Sequence, residues 1–173
     1  MGQTGIKNPL GLVRCCAQLE QELDEFGYSV TVHSDMTTLD EAVRHCRSRS
    51  VSPMHNASAC DFSGQRAFWM SLENRFGAVT GLQAFRCDRV ETSLSDWCAP
   101  YMIGVYMRCN ELMVPSPERP SPDSIASRLR GLLVYHGELW VSKQTKSRRV
   151  FDSFTRLGLL LATVKWNPDA IWG

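Results

Sequence analysis

Three observations predict an α/β (α+β) fold for this 173-residue chain. Apolar residues recur at helical spacing near both ends, two strand-like runs flank a glycine turn in the middle, and the chain closes on a strand, a basic loop, a helix and a strand. With 43% apolar residues, a chain of this length buries one sizeable core, so a single domain over 1–173 is expected.

The elements follow in order. Leu12, Cys16, Leu19, Leu23 and Phe26 step by four, three, four and three, and Gly27 supplies the left-handed residue that ends such a helix. Tyr28, Val30 and Val32 then alternate with Ser29, Thr31 and His33, the period of a half-buried strand. Thr38-Leu39-Asp40-Glu41 reads as a capping box opening a short helix with Leu39, Ala42, Val43 and Cys46 inward. Residues 47–65 lack periodicity and are rich in Ser, Asn, Pro and Met, so a long loop is expected, and loops of that length in a compact domain are often functional. Runs at 67–72 and 78–86 flank a turn ending in Gly77 and predict a hairpin.

Residues 93–109 are apolar and aromatic, and Pro100 predicts a broken helix there. Trp97, Tyr101, Met102, Tyr106 and Met107 in this insert suit either a core stripe or an acceptor pocket. The proline-rich segment 115–122 reads as a stiff extended connector, and 124–129 as one helical turn. The strand at 132–141 (LLVYHGELWV) then leads through SKQTKSRR into a helix marked by Val150, Phe154, Leu157, Leu161 and Val164, with Asp152, Ser153, Arg156, Thr163 and Lys165 on its other side. Pro168 stops that helix, and Ala170, Ile171 and Trp172 begin another strand.

Charge and cysteine content narrow the function classes. Nineteen basic and 18 acidic residues leave a formal charge of +1, which gives no global field for non-specific nucleic-acid binding, although basic clusters lie at 44–49 and 143–149. Seven cysteines without CxxC spacing fit neither a disulfide framework nor a zinc site and read as reduced thiols. No secretory signal or apolar run of membrane-spanning length is present, so a soluble cytoplasmic protein without membrane contact is expected. The start, MGQTGI, is half a myristoylation signal, with Ile6 where Ser or Thr belongs.

The basic loop carries the most chemistry. Lys146, Arg148 and Arg149 precede a helix N-terminus, where each cation opposes the macrodipole at a cost of roughly 0.3–1 kcal/mol. A bound polyanion reverses that sign, because free N–H groups and the positive helix end both attract phosphate. A solvated loop ahead of a core helix is the other reading of the same residues.

GELWV followed by a short loop and a helix resembles the fourth strand, pyrophosphate loop and third helix of the GNAT superfamily of N-acetyltransferases. Arg156-Leu157-Gly158 and the later Trp166-Asn167-Pro168-Asp169, Ile171 and Gly173 resemble some members in texture. The resemblance implies a central mixed, mostly antiparallel sheet flanked by helices, and direct acetyl transfer from acetyl-CoA to an amine that the sequence does not identify. It implies that the backbone of Leu139, Trp140 and Val141 binds the pantetheine arm, while Lys146, Ser147, Arg148, Arg149, Val150 and Phe151 meet the pyrophosphate. No covalent intermediate is implied, so Cys87, Cys98 and Cys109 have no required role.

The family's loop reads Gln/Arg-x-x-Gly-x-Gly/Ala. Here Lys146 keeps the leading cation, and Arg149 and Phe151 replace both small residues. Either Arg149 clamps phosphate with its side chain, or the chain is a catalytically inactive GNAT-like binding or scaffold module with a degenerate cofactor loop. The family also continues with a complete fifth strand, a fourth helix and a closing hairpin. A domain ending at Gly173 would lack these, leaving further chain or a second subunit, such as a homodimer, to complete the cleft.

Glu138 is the candidate general base. Strand alternation places His136, Glu138 and Trp140 on one face and Tyr135, Leu139 and Val141 on the other, and a carboxylate among aromatics is desolvated toward a higher pKa. Pairing of Glu138 with a nearby arginine, or its exposure at a sheet edge, is the structural alternative.

Overall fold

The computed structural model describes residues 8–109, 122–145 and 147–173. Helix α1 (Pro9–Glu25) starts at Asn8, whose side chain accepts the N–H of Gly11 at 2.8 Å, with Pro9 where a missing N–H costs nothing. Gly27, at φ +80°, lets the chain leave the helix and enter β1 (Tyr28–His33). Helix α2 (Thr37–Arg47) begins earlier than the expected capping box. Asp35 accepts both the N–H and the hydroxyl of Thr37, at 2.9 and 2.7 Å, and its charge makes it a stronger acceptor than the Thr38 hydroxyl.

The hairpin forms as expected, from β2 (Ala67–Asn74) and β3 (Val79–Val90) around Gly77. Helix α3 (Leu94–Arg108) contains Pro100 without breaking there. Ser93 caps its start by accepting the N–H of Asp96 at 3.1 Å, and Val105 and Tyr101 pack it against Ala59 and Cys60, so tertiary contact outweighs the one lost hydrogen bond. The connector expected at 115–122 lies, but for its last residue, outside the described residues. A 3-10 turn at Ile125–Ser127 leads into β4 (Gly131–Val141), followed by α4 (Arg148–Trp166) and β5 (Ala170–Trp172).

The strands make one five-stranded sheet in chain order. β1–β2, β2–β3 and β3–β4 are antiparallel, while α4 is the crossover that lets β5 pair parallel with β4. The fold is therefore α+β, with helices flanking a mixed, mostly antiparallel sheet.

Its two faces differ. Phe68, Met70, Leu72, Phe85, Cys87 and Val134 meet Leu23 of α1 and Val150, Phe154, Leu157 and Ala162 of α4 in an apolar core. Ser153, expected on the polar side of α4, is buried there instead and donates its hydroxyl to Glu22 of α1 at 2.7 Å. Ser153 thus turns to α1, while Gly158 lies against the Gln83 side chain of β3 and Ala162 is buried, and Val164 is left 42% exposed. The opposite face carries α2 with Met36, Leu39, Val43, Trp69, Leu82 and Ala84, and beside it the loop 48–66 and α3.

A candidate functional site at the bulge of the fourth strand

β4 carries an extra residue where it was expected to run straight. Ala84 pairs with Gly137 and Leu82 with Trp140, so two steps along β3 face three along β4, and Glu138 takes φ +54°. A left-handed conformation at a non-glycine residue persists only where its surroundings hold it. The bulge turns successive residues to the same side and corrects the expected alternation. His136 stacks on Phe85 and Val141 joins the apolar core, whereas Tyr135 stacks on His55, and Glu138 and Trp140 also face the loop side.

Glu138 is 7% exposed and fully engaged. Arg49 reaches Oε2 at 2.6 Å, Arg47 reaches it at 3.3 Å, and the backbone N–H of Ser52 donates to Oε1 at 2.6 Å. This is the paired alternative of the sequence reading, and it makes the carboxylate an anchor that ties the start of the long loop to the bulge. To take a proton from a substrate, Glu138 would first have to give up these donors.

Behind the anchor the loop is buried rather than solvated. Val51, Pro53, Met54, His55, Ala59 and Cys60 are all inside. Gly137 is required at its position, because a Cβ there would lie 2.7 Å from His55 Cε1. His55 is completely buried, neither ring nitrogen has a hydrogen-bond partner, and burial, aided by the charges of Arg86 and His136, lowers its pKa to about 3. Next to it, Arg86 donates to both oxygens of Asp88 at 2.8 Å, to the carbonyl of Met54 at 2.8 Å and to the Tyr101 hydroxyl. Arg66 donates to Asp88 at 2.9 Å.

On the other face, His136 is fixed as a donor. Gln83 gives its amide N–H to the carbonyl of Phe154 at 2.7 Å, which leaves Gln83 Oε1 to accept from His136 Nε2 at 3.2 Å, and burial lowers the pKa of that imidazole to about 4.

β5 pairs only with Leu133, Val134 and Tyr135, and among the described residues no strand pairs with 137–141 on that side. Trp140 and Val141 are held by pairing to Leu82 and Gly81 on the inner side of β4, and Leu139 lies beside them. The chain leaves β4 through a turn in which Thr145 N–H donates to Ser142 O at 2.9 Å, and α4 starts a few residues on.

At that helix start, Ser147 makes no side-chain cap and the first turn contains no acid. Arg148 is exposed and lies 3.8 Å from Asp152, a weak surface pair, and Arg149 is exposed too. The Val150 side chain points into the core, so only its backbone is available to a ligand, while Phe151 is 39% exposed. Lys146 lies outside the described residues. The structure thus brings Leu139, Trp140 and Val141 to the end of β4 and Ser147, Arg148, Arg149 and Phe151 to the helix start, and turns Glu138 to the loop face.

Sequence reasoning missed Arg47, Arg49 and Ser52 as partners of Glu138, although the basic cluster at 44–49 and the length of the loop were visible signals. It also missed the pair Arg86 and Asp88, two apart on a strand and so on one face. Nothing in the sequence marked His55. Neither a protein-family model nor a curated protein sequence matches this chain.

Proposed function

We propose that the chain is an acyl-CoA-dependent N-acyltransferase of GNAT type, moving an acetyl group from acetyl-CoA directly to an amine. The observation that carries this reading is the parallel β4–β5 pair around a helix that starts in exposed arginines, with the backbone of 137–141 unpaired on its outer side among the described residues. An extended amide-containing arm pairs naturally with such an edge, and a pyrophosphate with the free N–H groups and dipole of the helix start. Leu139, Trp140 and Val141 would hold the arm through their backbone. Lys146, Ser147, Arg148 and Arg149 would hold the phosphates, Arg149 substituting a charged fork for the close amide approach that glycine allows elsewhere. The bulky Phe151 keeps the loop from wrapping the phosphates tightly, so the affinity rests on charge and falls with salt.

In this reading Glu138 positions the loop and the bulge and does not accept the proton. The amine arrives deprotonated and attacks the thioester carbonyl of the arm held along β4; the C–S bond breaks, and the CoA thiolate leaves with the proton that the new amide nitrogen sheds, directly or through water. The thiols and the lack of a membrane-length helix among the described residues fit a cytoplasmic setting.

A second reading is favoured by one observation. The acid at the bulge, Glu138, is ion-paired with two arginines, as in a binding or scaffold module of the same fold that no longer turns over.

Isothermal titration with acetyl-CoA separates the two. Micromolar binding that weakens at least about tenfold in Lys146→Ala/Arg149→Ala is the expected outcome. A folded chain that ignores millimolar acetyl-CoA would exclude the acyltransferase reading, and binding without acetylation of any amine in a broad panel would favour the module.

A further inference from the structure

We infer that β1 is the pairing edge for a second copy of this chain, the two β1 strands running antiparallel about a twofold axis to make one continuous sheet. β1 is the end strand of the sheet, and among the described residues nothing pairs with its outer side. Soluble proteins guard such an edge with lysine, proline, a bulge or a covering segment. YSVTVH contains no Lys, Pro, Asp or Glu, its pairing with β2 is unbroken from Tyr28 to His33, and Val32 is left 54% exposed. The sequence pattern called for Val32 to be inward. Instead it borders an open groove of about 480 Å³ with Phe68, Leu161, Val164 and Lys165.

The two grooves beside this edge are oppositely charged, and that selects the occupant. The groove at Val32 is bordered by one charged side chain, the exposed Lys165 at the end of α4, while Asp35, exposed past the end of β1, is not part of its lining. Around Tyr28, Ser29 and Val30 a second groove is bordered by α1, with Glu20 and Asp24 exposed. Both grooves lie on the face of the sheet that packs α1 and α4. Antiparallel pairing about a twofold axis normal to the sheet keeps that face on the same side in both copies and sets the Lys165 end of each against the acidic end of the other. In the register centred on Thr31, Val30 of each copy faces Val32 of the other, an apolar cross-strand pair made twice. A parallel arrangement would set acid beside acid, so the edge is complementary to itself in one direction only. This inference is independent of the acyltransferase reading.

The test is the oligomeric state of the full chain by sedimentation equilibrium, with circular dichroism to confirm folding. Wild type is expected to be dimeric. Val32→Glu, which adds a carboxylate opposite the acidic end, should raise the dimer dissociation constant at least about tenfold. Lys165→Glu and Asp24→Lys should each weaken the dimer, and the double variant, with the charges exchanged, should recover it. That recovery is something a merely misfolded chain cannot produce. A monomeric wild type at the highest soluble concentration would overturn the inference, as would a dimer that Val32→Glu and Lys165→Glu leave unchanged.

Discussion

The two faces of the sheet differ in what is buried beside their apolar contacts. The face covered by α1 and α4 is an apolar interdigitation of Phe68, Phe85, Phe154 and Leu157, in which the buried polar groups are few and mutually satisfied. The opposite face has its own apolar cluster under α2 and adds buried charge beneath the loop 48–66 and α3, with Arg86 on Asp88, and Arg47 and Arg49 on Glu138. Apolar contact is tolerant of direction, whereas a buried ion pair fails when either partner is lost. The bulge of β4 turns Glu138 to the face that carries these ion pairs.

The largest effects should separate these mechanisms at similar cost. Phe154→Ala on the apolar face should lose about 3–5 kcal/mol through the cavity it leaves. Asp88→Ala on the loop face should also lose about 3–5 kcal/mol, because Arg86 stays buried without its counter-charge. Adding Arg86→Met to Asp88→Ala should restore part of the loss, and chemical denaturation measures all three. A double variant no more stable than Asp88→Ala would mean that charge is not what makes Asp88 necessary.

Glu138→Gln comes next. It keeps the volume and discharges the anchor, and since Arg47 and Arg49 partly reach solvent the expected loss is about 1–3 kcal/mol. The consequence should be local: amide exchange should quicken at 49–55 and 136–140 and stay unchanged along β1 and β2. Uniform acceleration across the sheet would show that Glu138 supports the whole fold rather than the loop.

Smallest near neutral pH, and growing as pH falls, is a pH slope to which both faces contribute. His55 on the loop side and His136 on the helix side are held neutral by burial, with pKa values of about 3 and about 4 against an ordinary 6.5. Their folded pKa values are depressed, so the unfolded chain binds protons first as pH falls. Stability is then full above about pH 6.5 and declines toward pH 4, by up to about 1.4 kcal/mol per pH unit for each histidine. Burial lowers His33 in the same sense. Thermal melts from neutral pH to about pH 4 should show this slope, and His136→Gln should reduce it. A melting temperature that stays flat to pH 4 would mean that the imidazoles are hydrated.

Much of the fold was legible because its signals are local. The spacing of Leu12 to Phe26, the alternation of β1, the glycine of the hairpin turn and the succession from β4 to β5 each depend on neighbours within a few residues, and all five strands lie where the sequence put them. Boundaries shifted where a nearby side chain competed better, as Asp35 did with Thr38, or where packing overrode a breaker, as at Pro100.

The candidate site was legible only in part. That a basic loop enters a helix after a strand, and that the exposed arginines there face the positive end of its dipole, follows from the order of residues alone. The sequence by itself therefore determined the class of the fold, the strand–loop–helix–strand unit and the charge at its turn. Tertiary structure alone decided the bulge at Glu138, the face to which that carboxylate turns and the burial of His55. The donors that hold Glu138 lie 86 to 91 residues earlier in the chain, and no local period reports a partner brought close only by the closing of the sheet.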